Sequence, residues 1–305
     1  MVTACPGRAA DAGMSGTPVA YVLALLAAFG FGLGAVLQQK GTLEAPAGEN
    51  DPRFLAQILR RPVWLAGAGC MAVGWVVQAI ALGRGPLIVV QSLTALSMVI
   101  ALPLGIRITS QQVSRRVWMG ALAVVAGIIL FLSAGVPKAG TSQPSASVWW
   151  TAGFCALVAV LALAGVGRRH RGAARALLFG SAAGIDFGLQ ASVTKVFVKL
   201  VGLGLGTLLS SWTTYVLIVS ALAGFALQQS ALKTGVLAPA LASSNAVTLF
   251  ASVVFGLTVF GETLAHGGGR LIPALIGLAA ALAGIMLLAG AQPPQQASLR
   301  PVPGR

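Results

Sequence analysis

A repeat buried in its most apolar stretches restricts what this chain can fold into more than any other feature. Gly74, Gln78, Ala81, Leu82 and Gly85 return 150 positions later as Gly224, Gln228, Ala231, Leu232 and Gly235. Both copies of this Gly-x3-Gln-x2-Ala-Leu-x2-Gly pattern lie in long hydrophobic runs, so the duplicated unit is a membrane bundle. Two shorter matches keep the same order: Gly30-x3-Gly34 with Gly184-x3-Gly188, and Ala126-Gly127-Ile128 with Ala283-Gly284-Ile285. Small residues at such positions let membrane helices approach closely.

The surrounding composition supports a membrane setting. The 305 residues are 57% hydrophobic and 9% charged, against roughly a quarter charged in a soluble domain. The charges cluster between uncharged runs long enough to cross a bilayer, which takes about 20 residues. Lipid cannot satisfy the open edges of strands, so runs of this kind form helices. The expected fold is therefore all-α, a polytopic membrane helical bundle. Its nine expected spans run from Pro18 to Gln38, Pro62 to Gly83, Pro86 to Gly105, Val117 to Ala134, Val148 to Val166, Ala176 to Val198, Leu208 to Leu232, Val236 to Phe260 and Leu271 to Gly290. Pro18, Pro62 and Pro86 fall where helices begin, a place proline tolerates.

The repeat then organises these spans. Residues 18–134 form a first four-helix repeat and 175–290 a second, with a linking helix at 148–166. Residues 1–17 and 291–305 read as disordered tails. Four crossings return a chain to its starting side, and one further crossing reverses the second quartet. Two inverted repeats of this kind are what alternating-access carriers use. The first span is not a cleaved signal, because it is too long and lacks a small-residue cleavage motif.

Orientation follows from the basic residues. With nine crossings, Arg8, Arg84, Lys138, Lys195, Lys199 and Arg270 share the N-terminal side, and the other fourteen Lys and Arg share the opposite side. The richer side is cytoplasmic by the positive-inside rule. The expected protein is thus multi-pass in the inner (plasma) membrane, with its N-terminus outside and its C-terminus cytoplasmic. The net charge of +14 is a topology signal plus attraction to the lipid bilayer's anionic headgroups. No basic domain stands apart from the membrane, so no nucleic-acid partner is expected. Cys5, Cys70 and Cys155 have no metal-ligand spacing. His170 and His266 sit in loops, and Gly267 to Gly269 make a turn rather than a phosphate cradle. No span carries a Ser/His, Asp/Asp or HExxH constellation, so the chain is not read as an enzyme. No metal and no cofactor are expected.

Polar residues within the spans supply the candidate site. Asp186 is the one carboxylate deep in a span, where a charge costs about 2.5–3.5 kcal/mol on insertion scales, so it should face a partner or a wet cavity. It is the candidate coupling residue, loading and releasing a driving proton, or else a structural hydrogen-bonding group to Ser192, Thr194 or another helix. Gln190 lies one turn further on the same face. Gln78 and Gln228 form a pseudo-symmetric pair whose amides both donate and accept. Gln91, Ser92 and Thr94 correspond to Ser243, Ser244 and Asn245. Candidates for binding a small-molecule or ion substrate are therefore Gln78, Gln228, Gln190, Asn245, Gln91 and Ser244. Asn245 ranks above the hydroxyls, which bond back to their own helix. Glu262 reads as a solvated end residue, Lys195 and Lys199 as snorkelling, and Trp149, Trp150 and Trp212 as interfacial anchors.

Trp64-x2-Gly67, Gly74-x3-Gln78-x2-Ala81-Leu82, Pro86 and Val90-Gln91-Ser92-Leu93-Thr94-Ala95-Leu96 resemble the drug/metabolite transporter superfamily, EamA-like in type. Gly34-Ala35-Val36-Leu37-Gln38-Gln39-Lys40-Gly41 is similar to the first helix of its nine-span branch, which includes the NIPA-type magnesium transporters. The resemblance covers about residues 20 to 290 and implies inverted repeats around a central cavity. One departure is plain: Val73-Gly74-Trp75-Val76 stands where that branch commonly carries an acidic residue. The expected function is secondary transport of a small solute by alternating access, with proton coupling through Asp186. The alternatives are a divalent-cation carrier of the NIPA type and a non-transporting scaffold subunit. A second copy of the chain is a compatible partner.

Overall fold

The computed structural model describes residues 11–43, 60–109, 113–141, 144–234, 237–265 and 269–290. Both tail ends, Gly235 of the repeat and His266 lie outside the described residues. Eleven helices follow in order among the described residues: α1 (Asp11–Leu43), α2 (Pro62–Arg84), α3 (Leu87–Thr94), α4 (Ser97–Thr109), α5 (Arg115–Gly135), α6 (Ala146–Arg168), α7 (Gly172–Val201), α8 (Leu205–Ser210), α9 (Trp212–Leu232), α10 (Leu237–Thr258) and α11 (Leu271–Gly290). Nine stretches among them are long and apolar enough to cross a membrane, with α3 and α4 together making the third. The chain is a polytopic helical membrane bundle.

Two expectations at the start of the chain change. Residues 11–17, expected in a disordered tail, continue α1, and Pro18 lies inside that helix rather than opening it. Pro62 does open α2, and Pro86 is the N-cap of α3. The third span, expected as one continuous helix, is broken at Ala95–Leu96. The Leu96 amide donates to the Leu93 carbonyl, a tight three-residue turn, before α4 resumes with Ile100 donating to Leu96. Interrupted spans survive in membranes where they line a cavity or lie inside protein.

Helix partners repeat between the halves. In the first half α1 packs on α2 and on the α3–α4 pair. In the second, α7 packs on α9 and on α10. Phe31 lies over Gly74, where an added Cβ would meet its ring at 2.9 Å, and Phe187 lies over Gly224 in the same way at 2.7 Å. The glycine pairs first matched by spacing are not equivalent. Gly30 and Gly34 face α2, whereas Gly184 and Gly188 face α10. The motif recurs, but the two close approaches serve different neighbours.

The halves join most tightly along α5 and α11. An added Cβ on Gly277 would sit 2.5 Å from the Phe131 nitrogen and 2.7 Å from the Gly127 oxygen. One on Gly284 would sit 2.7 Å from the Gly120 oxygen and the Val124 nitrogen. Gly120 meets Gly284 while Gly127 meets Gly277, so the two helices run antiparallel, as a fourth and a ninth crossing must. Such backbone contact requires glycine and leaves no room for sliding. The linking helix α6 lies largely outside this core, packed on α7.

Candidate functional site

Between the halves lies a cavity of about 520 Å³, within the size range of small-molecule pockets. Its wall takes Phe31, Ala35 and Gln39 from one stripe of α1, and Met71, Trp75, Gln78 and Leu82 from α2. Gln91, Thr94, Ala95, Ser97 and Met98 come from the break between α3 and α4. The second half contributes Phe187, Ala191 and Thr194 of α7, Gln228 of α9, and Leu241, Ser244, Asn245 and Thr248 of α10. Stripes at spacings of three and four are the inward faces of helices.

Five of the six expected binding residues thus converge: Gln78, Gln228, Gln91, Ser244 and Asn245. The pseudo-symmetric glutamines reach one chamber from both halves. Gln228 Oε1 is buried and has no hydrogen-bond partner. Gln91 Oε1 accepts from Thr94 Oγ1 at 3.3 Å. Asn245 corrects an expectation, since its amide does bond back to its own helix, with Nδ2 donating to the Leu241 carbonyl at 2.8 Å. It stays exposed inside a span because the chamber opens beside it, and Ala35 does the same.

Gln190 is buried but does not line the chamber. Asp186 also sits behind the wall rather than in it. Its Oδ2 lies against Gly224 of α9 and has no hydrogen-bond partner. The hydroxyls expected as structural partners are engaged elsewhere: Ser192 donates to Gly188 at 2.9 Å and Thr194 to Gln190 at 2.7 Å. Gly224 and Gln228 are one turn apart on α9, so the helix that borders Asp186 also presents Gln228 to the chamber.

Next to Thr194 of the lining begins a buried cluster of groups given a bland reading above. Glu262 is 2% exposed and Lys195 6%, so neither is a solvated or snorkelling end residue. Lys195 Nζ donates to Glu262 Oε1 at 2.5 Å. The same carboxylate caps α3, accepting from the Leu87 amide at 2.5 Å and the Ile88 amide at 2.9 Å. An anion at a helix N-terminus meets unsatisfied N–H groups and the positive end of the dipole. The ammonium also lies 4.5 Å from the Phe260 ring centre, within cation–π range. Trp149, expected as a membrane anchor, packs edge-on against Phe260 and Trp212 at 5.9 and 5.3 Å.

Loops lie against this cluster. Lys138 and Thr263 exchange backbone hydrogen bonds, Thr141 donates to Phe260 and Ala265 to Gly135. Val136 bends the chain there with φ of 36°, a left-handed conformation costly for a β-branched residue. The other end holds Gln39 near the end of α1, Leu241 near the start of α10 and Leu288 near the end of α11. The chamber's lining therefore reaches toward the end of the bundle near Lys40 and Lys233. The sequence did carry a signal for this cluster: span parity puts Glu262 and Lys195 at the same end of the bundle. The Ala95–Leu96 break had no glycine or proline to announce it, only the hydroxyls of Ser92 and Thr94, which bond back to Ile88 and Gln91.

Among the described residues, no three His, Cys, Asp or Glu side chains come together as metal ligands would. No family model matches the chain, and no solved structure matches it. An uncharacterized protein of Corynebacterium glutamicum is 30% identical over 256 residues, 82% of this chain and 87% of that protein.

Proposed function

The chain belongs to the family of that corynebacterial protein, and from this premise we propose that it is a secondary transporter of the drug/metabolite type. It moves a small solute across the plasma (inner) membrane by alternating access, with the C-terminus and the basic loops cytoplasmic. One observation carries the reading: a chamber between the two halves is lined by amides and hydroxyls from both, set among apolar side chains, and we read it as open at the basic end and closed at the end where Glu262 meets α3. A carrier needs such an asymmetric state and its reverse.

The reverse state requires Glu262 to part from the first amides of α3 and the basic side to close. Asp186 couples this exchange to a proton. A carboxylate with an unfilled oxygen between α7 and α9 favours one spacing of those helices when charged and another when neutral. Gln228, one turn along α9, follows that movement into or out of the chamber.

A divalent-cation carrier is less well supported. Magnesium favours carboxylates and retained water, whereas the described chamber lining offers amides and hydroxyls. A scaffold subunit would pair its polar groups and leave no cavity, and Gln228 and Asp186 each keep an unfilled oxygen. The test is uptake of a solute panel, magnesium included, into proteoliposomes carrying a pH gradient. Gradient-driven uptake of a panel solute, lost in Asp186→Asn with exchange retained, supports the reading. A wild-type protein that moves nothing in the panel under either gradient removes it.

A further inference from the structure

We propose that the chamber takes an uncharged solute with a flat apolar face and at least one N–H or O–H donor; this rests on the carrier reading and names its cargo class. Among the described residues that line the chamber, none is ionisable. The nearby charges are committed elsewhere. Lys195 and Glu262 pair with each other at the sealed end, and Asp186 faces Gly224 behind the wall. A cation or an anion entering here would leave water for dipoles alone, without a counter-charge, which low-dielectric surroundings penalise heavily.

Part of the wall's donor capacity is already spent. Thr94, Thr194 and Thr248 each give their hydroxyl proton to a carbonyl of their own helix, and the Asn245 amide gives one of its two N–H groups. Among the acceptors, Gln228 Oε1 is the clearest vacancy, buried with no partner. A solute donor would fill it. Either placement of that amide's oxygen and nitrogen leaves a polar position vacant, so the requirement for a hydrogen-bonding solute stands.

The rest of the wall is apolar, with three aromatic rings and two thioethers set among aliphatic side chains. Phe31 and Trp75 meet edge-on at 5.7 Å, and Phe187, the counterpart of Phe31, lines the chamber from the other half. Faces of this kind hold flat rings by stacking and edge contacts. Amides between aromatic walls suit a planar, neutral, amide-like molecule.

Benzamide, benzoate and benzamidinium test this directly, since they share a shape and differ in charge. Their binding, and that of magnesium alone, is measured by calorimetry on the full chain in nanodiscs. The expected result is that benzamide binds at least about ten-fold more tightly than either charged partner, and that Gln228→Leu weakens it by about five-fold or more. Gln228→Glu places a carboxylate in the same wall and is expected to turn the preference toward benzamidinium. Equal or tighter binding of benzoate, benzamidinium or magnesium by the wild type overturns the uncharged assignment and leaves carriage standing. Absence of benzamide binding, or indifference to both Gln228 variants, overturns it as well. Benzamide binding without any panel flux in vesicles would strike carriage while leaving the binding chemistry in place.

Discussion

The two halves are held together in two places by opposite means. Along α5 and α11 the contact is backbone against backbone, with Gly120, Gly127, Gly277 and Gly284 removing every side chain that would intervene. At the closed end the contact is a carboxylate against amides: Glu262, paired to Lys195 within the second half, accepts from the first amides of α3 in the first half. A close-packed seam has no alternative arrangement of equal density, so it acts as a fixed axis. A carboxylate held by backbone amides can exchange those partners for water. The difference assigns rigidity to one seam and movement to the other.

The largest effect expected from breaking this comparison is at the rigid seam. Gly277→Val should abolish folded protein, because any Cβ there meets the backbone of Phe131 and Gly127; recovery of monodisperse protein in detergent is the measure. Glu262→Ala comes next, at about 3–5 kcal/mol, since it strands a buried lysine and uncaps α3. The double variant Lys195→Met with Glu262→Gln should regain most of that loss in a thermal melt, which no replacement in the glycine seam would do. Asp186→Asn should leave stability unchanged or raise it by up to about 2 kcal/mol, because a neutral amide is cheaper to bury than an unpartnered carboxylate. Gradient-driven uptake should nonetheless be lost. Asn245→Ala should be the mildest, below about 1 kcal/mol, since its amide only replaces a bond within its own helix.

The sequence disclosed the fold better than the lock. Span number, the all-helical class and the convergence of Gln78 with Gln228 followed from hydropathy and from a motif repeated at a fixed offset. Spacing alone misled over Gly30-x3-Gly34 and Gly184-x3-Gly188, because a glycine pair records that something comes close and not which helix does. Glu262 was misread because its burial depends on α3, 174 residues away, beginning against it. Asp186 was found as the deep acid, but its position behind the wall depends on the rotation of α7. Hydrophobic periodicity could not fix that rotation in a helix apolar nearly all round.

Sided labelling of the chamber tests the central claim most directly. In a chain with Cys5, Cys70 and Cys155 replaced by alanine, Ala35→Cys places one thiol in the chamber wall. A membrane-impermeant maleimide is then applied to right-side-out and inverted vesicles. The account predicts reaction from the basic side, and, once Lys195→Ala breaks the seal, faster reaction from the opposite side. Labelling from the opposite side with the seal intact, or sidedness unchanged by Lys195→Ala, would contradict it.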